Sequence, residues 1–283
     1  MVVFIGRPLE KEYLNNNFEM SILIALQGAQ IYGWNHPKFG EILWVSEASL
    51  FHKGKSIRGG IPICWPWFGP KEGLPQHGFC RTVDWQKEEE TLLDGRRVEK
   101  YFLQSHGYTY NFFPHNFELT FTIEYGNEMK ISLTTKNTDS HPFVITEALH
   151  TYFAIGDINQ ISIEGLNNNN FFDKVNNTYT NNKSEIFIQG EIDNVYENEN
   201  EISIKDPVLN RRIIVSQESA KNTVVWNPGF EKAKTISDMK PDEYKKFICV
   251  ESANALKNEV YIESGASHTI TQKITIEELN SNF

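Results

Sequence analysis

A strict two-residue alternation between positions 117 and 134 constrains this chain most. Phe117, Leu119, Phe121, Ile123 and Tyr125 are separated by Glu118, Thr120, Thr122 and Glu124. Successive side chains on a strand point to opposite faces, so the segment is apolar on one side and polar on the other. Gly126-Asn127 interrupts the pattern, and Met129-Lys130-Ile131-Ser132-Leu133-Thr134 resumes it. The expectation is a hairpin with one face against a core.

Strand candidates recur at 20–26, 29–34, 41–45, 98–104, 143–146, 161–164, 202–204, 213–216, 223–226, 247–250 and 269–276. Helical periodicity is scarce. The best helix candidate is 237–246, with Pro241 tolerated in its first turn. The expected fold class is therefore all-β, a large antiparallel β-sandwich. The asparagine-rich stretch 167–182 reads as an exposed loop, followed by a strand-like Glu185-Ile186-Phe187-Ile188. With no internal repeat and no long linker, a single domain over 1–283 is expected. At 283 residues and 40% hydrophobic content, the chain can bury a core of that size.

A second feature works against regular structure. Ile57-Arg58-Gly59-Gly60-Ile61-Pro62-Ile63-Cys64-Trp65-Pro66-Trp67-Phe68-Gly69-Pro70 is followed by Gln76-His77-Gly78-Phe79-Cys80-Arg81. Glycines and prolines at this density fix turns, and the aromatics give those turns something rigid to pack on. Such a loop can aim Arg58 and Arg81 at one point, which makes a receptor for a phosphate or carboxylate. The rest of the chain is acidic, with a formal net charge of -10. Nucleic acid and anionic membranes are disfavoured as partners, and an anionic ligand must be captured by local basic groups. Cys64, Cys80 and Cys249 are odd in number and lack C-x-x-C spacing, which suits reduced thiols and a cytoplasmic location. Residues 1–11 have no apolar core of a signal peptide, and no apolar run approaches the roughly 18 residues of a membrane span.

Four residues outside or beside that loop can carry chemistry. His150 lies in Glu147-Ala148-Leu149-His150-Thr151-Tyr152-Phe153. It reads either as a hydrogen-bonded core histidine or as a general acid/base. Glu251 closes the apolar run Phe247-Ile248-Cys249-Val250. It is either a solvated residue just past a strand end or a partly buried base at the mouth of the sandwich. Asp193 reads as a turn residue that could also accept a hydrogen bond from a polyhydroxylated ligand. His77 reads as a loop residue bonded to a neighbouring carbonyl. The histidines show no H-x-x-x-H spacing, and there is no G-x-S-x-G, so zinc and hydrolase-triad readings lack an anchor.

These motifs, in this order and spread over most of the chain, resemble the hexose-6-phosphate mutarotases of the aldose 1-epimerase superfamily. The matching segments are Arg58 to Pro62, Cys64 to Gly69, Gln76 to Arg81, Glu147 to Phe153, Glu191-Ile192-Asp193-Asn194-Val195-Tyr196 and Val250-Glu251. The resemblance implies a β-supersandwich of the galactose-mutarotase-like kind. It implies His150 as catalytic acid and Glu251 as catalytic base, with Arg58 and Arg81 on a phosphate. Gln76 and Asp193 match substrate-contacting positions, and His77, beside Gln76 in the same motif, is included with them. Ser252-Ala253-Asn254 follow Glu251, where the family usually turns after a proline or alanine. The implied reaction exchanges α and β anomers of a hexose 6-phosphate by ring opening. It calls for no cofactor, no metal and no obligate protein partner. The alternatives are a mutarotase for free sugars and a non-catalytic sugar-phosphate sensor. The pair His150 and Glu251 argues against the sensor, and the pair Arg58 and Arg81 against a free-sugar enzyme.

Overall fold

The alternating hairpin forms as its pattern demands. In the computed structural model, which describes residues 11–15, 21–93 and 96–279, Phe117–Tyr125 pairs antiparallel with Met129–Asn137. Phe121 lies opposite Leu133 and Ile123 opposite Ile131, all fully buried. Cross-strand apolar pairs of this kind are the unit of sheet stabilisation. The opposite face is polar, with Ser132 and Thr271 hydroxyls 2.9 Å apart and Lys136 bound to Glu118 at 2.9 Å.

This hairpin belongs to a nine-stranded antiparallel sheet. Its order is Ile186–Phe187, Ser162–Glu164, Ile202–Asp206, Arg211–Glu218, Ser267–Glu278, Met129–Asn137, Phe117–Tyr125, Arg96–Gln104 and Gln86–Leu93. An eight-stranded sheet packs against it across the main core. That sheet runs Thr178–Asn181, Asn170–Asp173, Ile192–Glu197, Asn222–Asn227, Phe247–Asn254, Glu147–Leu149 and Ile63–Cys64, with Tyr152–Ala154 also paired to Phe247–Asn254. One continuous cluster joins Phe117, Leu119, Ile270 and Ile274 of the first sheet to Leu149, Phe153, Ile248 and Val250 of the second. A smaller sheet, including Ser21–Ala25 and Gln30–His36, adds Ile22, Ile24 and Trp34 to the same core. The protein is thus an all-β antiparallel sandwich with few helices.

The structure differs from the sequence expectation in several places, the strand expected at 41–45 being only Gly40–Glu41 with isolated bridges at Leu43 and Val45. Residues 170–181 form a hairpin on the edge of the eight-stranded sheet, where the asparagines suggested a loop. Asp193 lies within a strand, paired across from Trp226, and not in a turn. The strand expected to stop at Val250 continues through Ser252, Ala253 and Asn254, so Glu251 is mid-strand with no turn behind it. Every residue of that strand is buried, because the core covers one face and the site loops the other. The helix expected over 237–246 is a 3-10 helix over Pro241–Lys246 only, with the Glu243 carboxylate accepting from the Lys240 N–H at 2.7 Å. A short α-helix, Gly229–Ala233, precedes it. Position 20 and the N-terminal reading over 1–10 lie outside the described residues. Among the described residues, no helix is long and apolar enough to cross a membrane.

Candidate active site

Two glycines explain why the irregular loop can carry the arginines where it does. Gly60 has φ +66, and a Cβ there would sit 2.1 Å from the Ile31 carbonyl. Gly78 has φ +75, and a Cβ would sit 1.8 Å from the Trp65 carbonyl. Only glycine fits either place, and the close approach sets the backbone beside Arg58 and Arg81. Trp65 is the anchor beneath: its indole donates to Thr135 at 3.0 Å and its ring meets Phe79, Phe113 and Phe117. Loop and sheet together enclose a cavity of about 200 Å³, lined by Arg58, Gln76, His77, Arg81, His150, Asp193 and Glu251. All seven residues named from the sequence therefore meet in one place.

His150 and Glu251 form the buried floor. Glu251 projects from the outer face of its strand, since Ile248 and Val250 face the main core while Cys249 packs with Trp44 and Tyr152 on the other side. The His150 N–H donates to the Pro62 carbonyl at 3.0 Å, which fixes it beside the loop. Next to it the Thr151 hydroxyl donates to Gln272 of the opposite sheet, and Gln272 donates on to Ser252 at 3.1 Å. This buried bridge fixes the strand pair that carries the two residues. His150 Nδ1 then lies 3.2 Å from Glu251 Oε1. Among the described residues, neither His150 Nδ1 nor Glu251 Oε2 has a hydrogen-bond partner, although both are almost wholly buried. A buried polar atom that the protein leaves unpaired is costly, so both atoms are available to a ligand that can pair them. Tyr152 stacks on His150, with ring centres 4.8 Å apart and planes 9° apart, and Trp226 meets it edge-on at 6.1 Å.

Burial pushes the Glu251 carboxyl well above the usual carboxylate range, opposed by Lys174 and Arg81 and reinforced by Asp193. Burial likewise pushes His150 well below the usual imidazole range, helped by His77 and the nearby cations. His77 is lowered for the same reasons. Both shifts work against an ion pair, since burial favours neutral imidazole and a protonated carboxyl. With one shared proton, the pair offers one acid and one base side by side.

The rim is cationic. Arg58 donates through Nε to Asp238 at 3.1 Å and through Nη1 to the Tyr152 hydroxyl at 3.2 Å. Arg81 donates through Nη2 to the Gln76 carbonyl at 2.7 Å, and its buried Nε has no partner among the described residues. His77 is a loop residue bonded to a neighbouring carbonyl, its backbone N–H donating to the Gly69 carbonyl at 2.8 Å, while its Nδ1 accepts from the Gly69 N–H at 3.1 Å and its Nε2 lies 3.1 Å from the Gln76 amide. The sequence reading missed Lys174, Trp226, Lys232, Asp238 and Tyr152. Lys174 Nζ sits 3.0 Å from Asp193 Oδ1, and Lys232 pairs with Glu191 at 2.6 Å. Lys174 was hidden because its hairpin read as a loop. Trp226 had a signal, since it alternates with Val224 on a recognised strand. Three donor atoms, one each from His150, Cys249 and Glu251, lie within 4.8 Å of one another and are the group best placed among the described residues to hold a metal ion.

The profile of the family described as Aldose 1-epimerase matches residues 12–275. A protein of Escherichia coli (strain K12) provisionally named glucose-6-phosphate 1-epimerase is 39% identical over 263 residues, covering 89% of this chain and 85% of its own length. One from Cenchrus ciliaris with the same provisional name is 34% identical over 269 residues, covering 91% and 82%. The crystal structure of a provisionally assigned mutarotase from Salmonella typhimurium superimposes with a TM-score of 0.90 at 33% identity, covering 96% and 91%. A galactose mutarotase-like protein from Lactobacillus casei, at 16% identity and TM-score 0.76 over 95% and 100% of the two chains, shares the fold.

Proposed function

The chain belongs to the aldose 1-epimerase family, and from that premise we propose that its cavity interconverts the α and β anomers of a hexose 6-phosphate, glucose 6-phosphate foremost. The protein is an isomerase acting on a small sugar. The observation that carries the reading is the His150–Glu251 pair, 3.2 Å apart, buried and short of partners, on the floor of a cavity rimmed by Arg58 and Arg81.

The steps follow from proton accounting. Glu251 takes the proton of the C1 hydroxyl while His150 gives one to the ring oxygen. The C1–O5 bond breaks, C1 becomes an aldehyde and C5 carries a hydroxyl. Rotation about C1–C2 presents the other carbonyl face. The C5 hydroxyl then adds to C1, returning its proton to His150 as Glu251 reprotonates the C1 oxygen. Nothing is oxidised and nothing leaves. Each positioned proton transfer contributes on the order of 10²–10⁴-fold. In the empty cavity burial favours the proton on Glu251. A sugar that donates its C1 hydroxyl to Glu251 and accepts at the ring oxygen from His150 favours the reactive arrangement instead. Arg58 and Arg81 hold the phosphate, which orients the ring and lowers the entropic cost of alignment. Gln76, His77 and Asp193 contact the sugar hydroxyls. The whole of 1–283 acts as one domain in this reading, in the cytoplasm and without a required protein partner.

The test is anomerisation measured by polarimetry on glucose 6-phosphate beside glucose. A rate above background with the phosphorylated sugar, and a much lower kcat/KM with glucose, is expected. Equal kcat/KM values would favour a free-sugar enzyme, and binding without turnover would favour a sensor.

A further inference from the structure

Arg58 is held on two sides before any ligand arrives. Its Nε donates to Asp238 Oδ1 at 3.1 Å and its Nη1 to the Tyr152 hydroxyl at 3.2 Å. A guanidinium has five N–H donors in one rigid plane, so fixing two of them fixes the direction of the rest. Its Nη2 has no hydrogen-bond partner among the described residues, and the side chain lines the cavity. Both holders are themselves immobilised. Tyr152 is buried, and it packs between His150, Trp44, Trp226 and Phe247. Burial, against the pull of Arg58, pushes its phenol upward, so the hydroxyl is neutral and its oxygen is free to accept. Asp238 lies between the helix Gly229–Ala233 and the 3-10 turn Pro241–Lys246. That segment is latched to the turn at Ser46-Glu47 beside Arg58, because Glu243 accepts from the Ser46 hydroxyl at 2.7 Å and from the Glu47 N–H at 2.8 Å. Ser46 in turn donates to the Arg58 carbonyl at 2.9 Å.

We infer that Asp238 and Tyr152 are positioning residues that preset the Arg58 fork for the substrate phosphate, and that Tyr152 ties this fork to the His150 ring. The inference rests on the reading that Arg58 faces the phosphate. Asp238 does not compete with that phosphate: it occupies Nε and leaves Nη2 for it. Tyr152 serves both ends, with its ring face against His150 and its hydroxyl on Arg58, so phosphate and reacting carbon are registered to one side chain.

The test compares kcat and KM for glucose 6-phosphate and glucose in the wild type, Asp238→Ala, Asp238→Asn, Tyr152→Phe, Arg58→Ala and the double variant Arg58→Ala/Asp238→Ala. Asp238→Ala should raise KM for the phosphorylated sugar about tenfold, the value of one hydrogen bond to a charged group. Its constants for glucose should change far less. Asp238→Asn keeps an acceptor oxygen and should restore most of the loss. Tyr152→Phe keeps the stacked ring and should raise the same KM by about two- to tenfold. The double variant should be no worse than Arg58→Ala alone, since Asp238 acts only through Arg58. An unchanged or lowered KM in Asp238→Ala would overturn the inference, the second outcome meaning that Asp238 competes with the ligand. Equal damage to both sugars, or additive losses in the double variant, would overturn it too by showing a general structural role. A wild type that treats both sugars alike would instead overturn the phosphate assignment beneath it.

Discussion

Arg81→Ala separates ligand binding from folding more cleanly than any other change in the cavity. Within the protein, the Arg81 guanidinium makes one hydrogen bond among the described residues, to the carbonyl of exposed Gln76 at 2.7 Å. Its Nε is buried and unpaired. Removing the side chain therefore breaks a single bond whose acceptor can turn to water, and it removes an orphaned donor. The stability change should stay within about 1 kcal/mol. Binding is another matter. A charge-assisted hydrogen bond to a phosphate contributes about 1.5–3 kcal/mol, which is roughly ten- to more than a hundredfold in affinity. The expected outcome is a fall of that size in kcat/KM for glucose 6-phosphate, little change for glucose, and nearly unaltered thermal unfolding. Polarimetric anomerisation rates with both sugars, beside a melting curve, measure all three. If both sugars lose activity alike while the protein remains folded, Arg81 serves the loop and not the phosphate, and the argument above fails.

Four further outcomes follow from the geometry. His150→Ala and Glu251→Gln should each remove most turnover while leaving sugar-phosphate binding detectable by calorimetry, because an acid and a base act mainly in the transition state; near-normal turnover in either would rule out the pair. Activity should follow a bell-shaped pH profile, since the pair works with one proton and fails with two or none. With Glu251 as base and His150 as acid, ordinary affinities would give the acid limb to Glu251 and the alkaline limb to His150, but burial raises Glu251 and lowers His150. The acid limb should thus report a second proton arriving on His150, and the alkaline limb loss of the last proton from Glu251; a flat profile would refute this. Activity should survive exhaustive chelation, because the steps move only protons; loss restored by a divalent ion would direct attention to His150, Cys249 and Glu251. Gly78→Ala should lower the melting temperature markedly, by a strain of roughly 1–3 kcal/mol from its left-handed backbone plus a clash with the Trp65 carbonyl; an unchanged melting temperature would show that the loop relaxes freely.

Local pattern was enough to read the fold class. Alternation at 117–125 and 129–134 depends only on which face of a strand meets oil and which meets water, so it appears in the sequence before any contact is known. The same logic misled at 247–254. That strand is covered on both faces, so nothing alternates and its end cannot be read from polarity. Glu251 consequently looked like a strand-end residue, and only the packing showed it to be buried mid-strand. The asparagine run at 167–182 misled for the opposite reason. An edge hairpin buries little, so it carries few apolar residues to announce it.

Arg58 and Arg81 could be singled out because the glycines, prolines and aromatics around them are locally restrictive, whereas Gln76, His77, His150, Asp193 and Glu251 became site candidates through the resemblance to the mutarotases. What sequence could not supply was their partners. Lys174 and Tyr152 reach the cavity from a hairpin and a strand, and Asp238 reaches Arg58 from a loop; they are far apart along the chain, and no local pattern links them. Nor could sequence fix the proton affinities of His150 and Glu251. Those depend on how much water is excluded and which charges stand nearby, and only the closed tertiary structure sets either. The sequence by itself thus determined the fold class, the alternating strands and the chemical groups on offer. Tertiary structure decided which groups meet, how they are aimed and where their shared proton rests, because burial and distance are properties of the packed molecule and not of the chain.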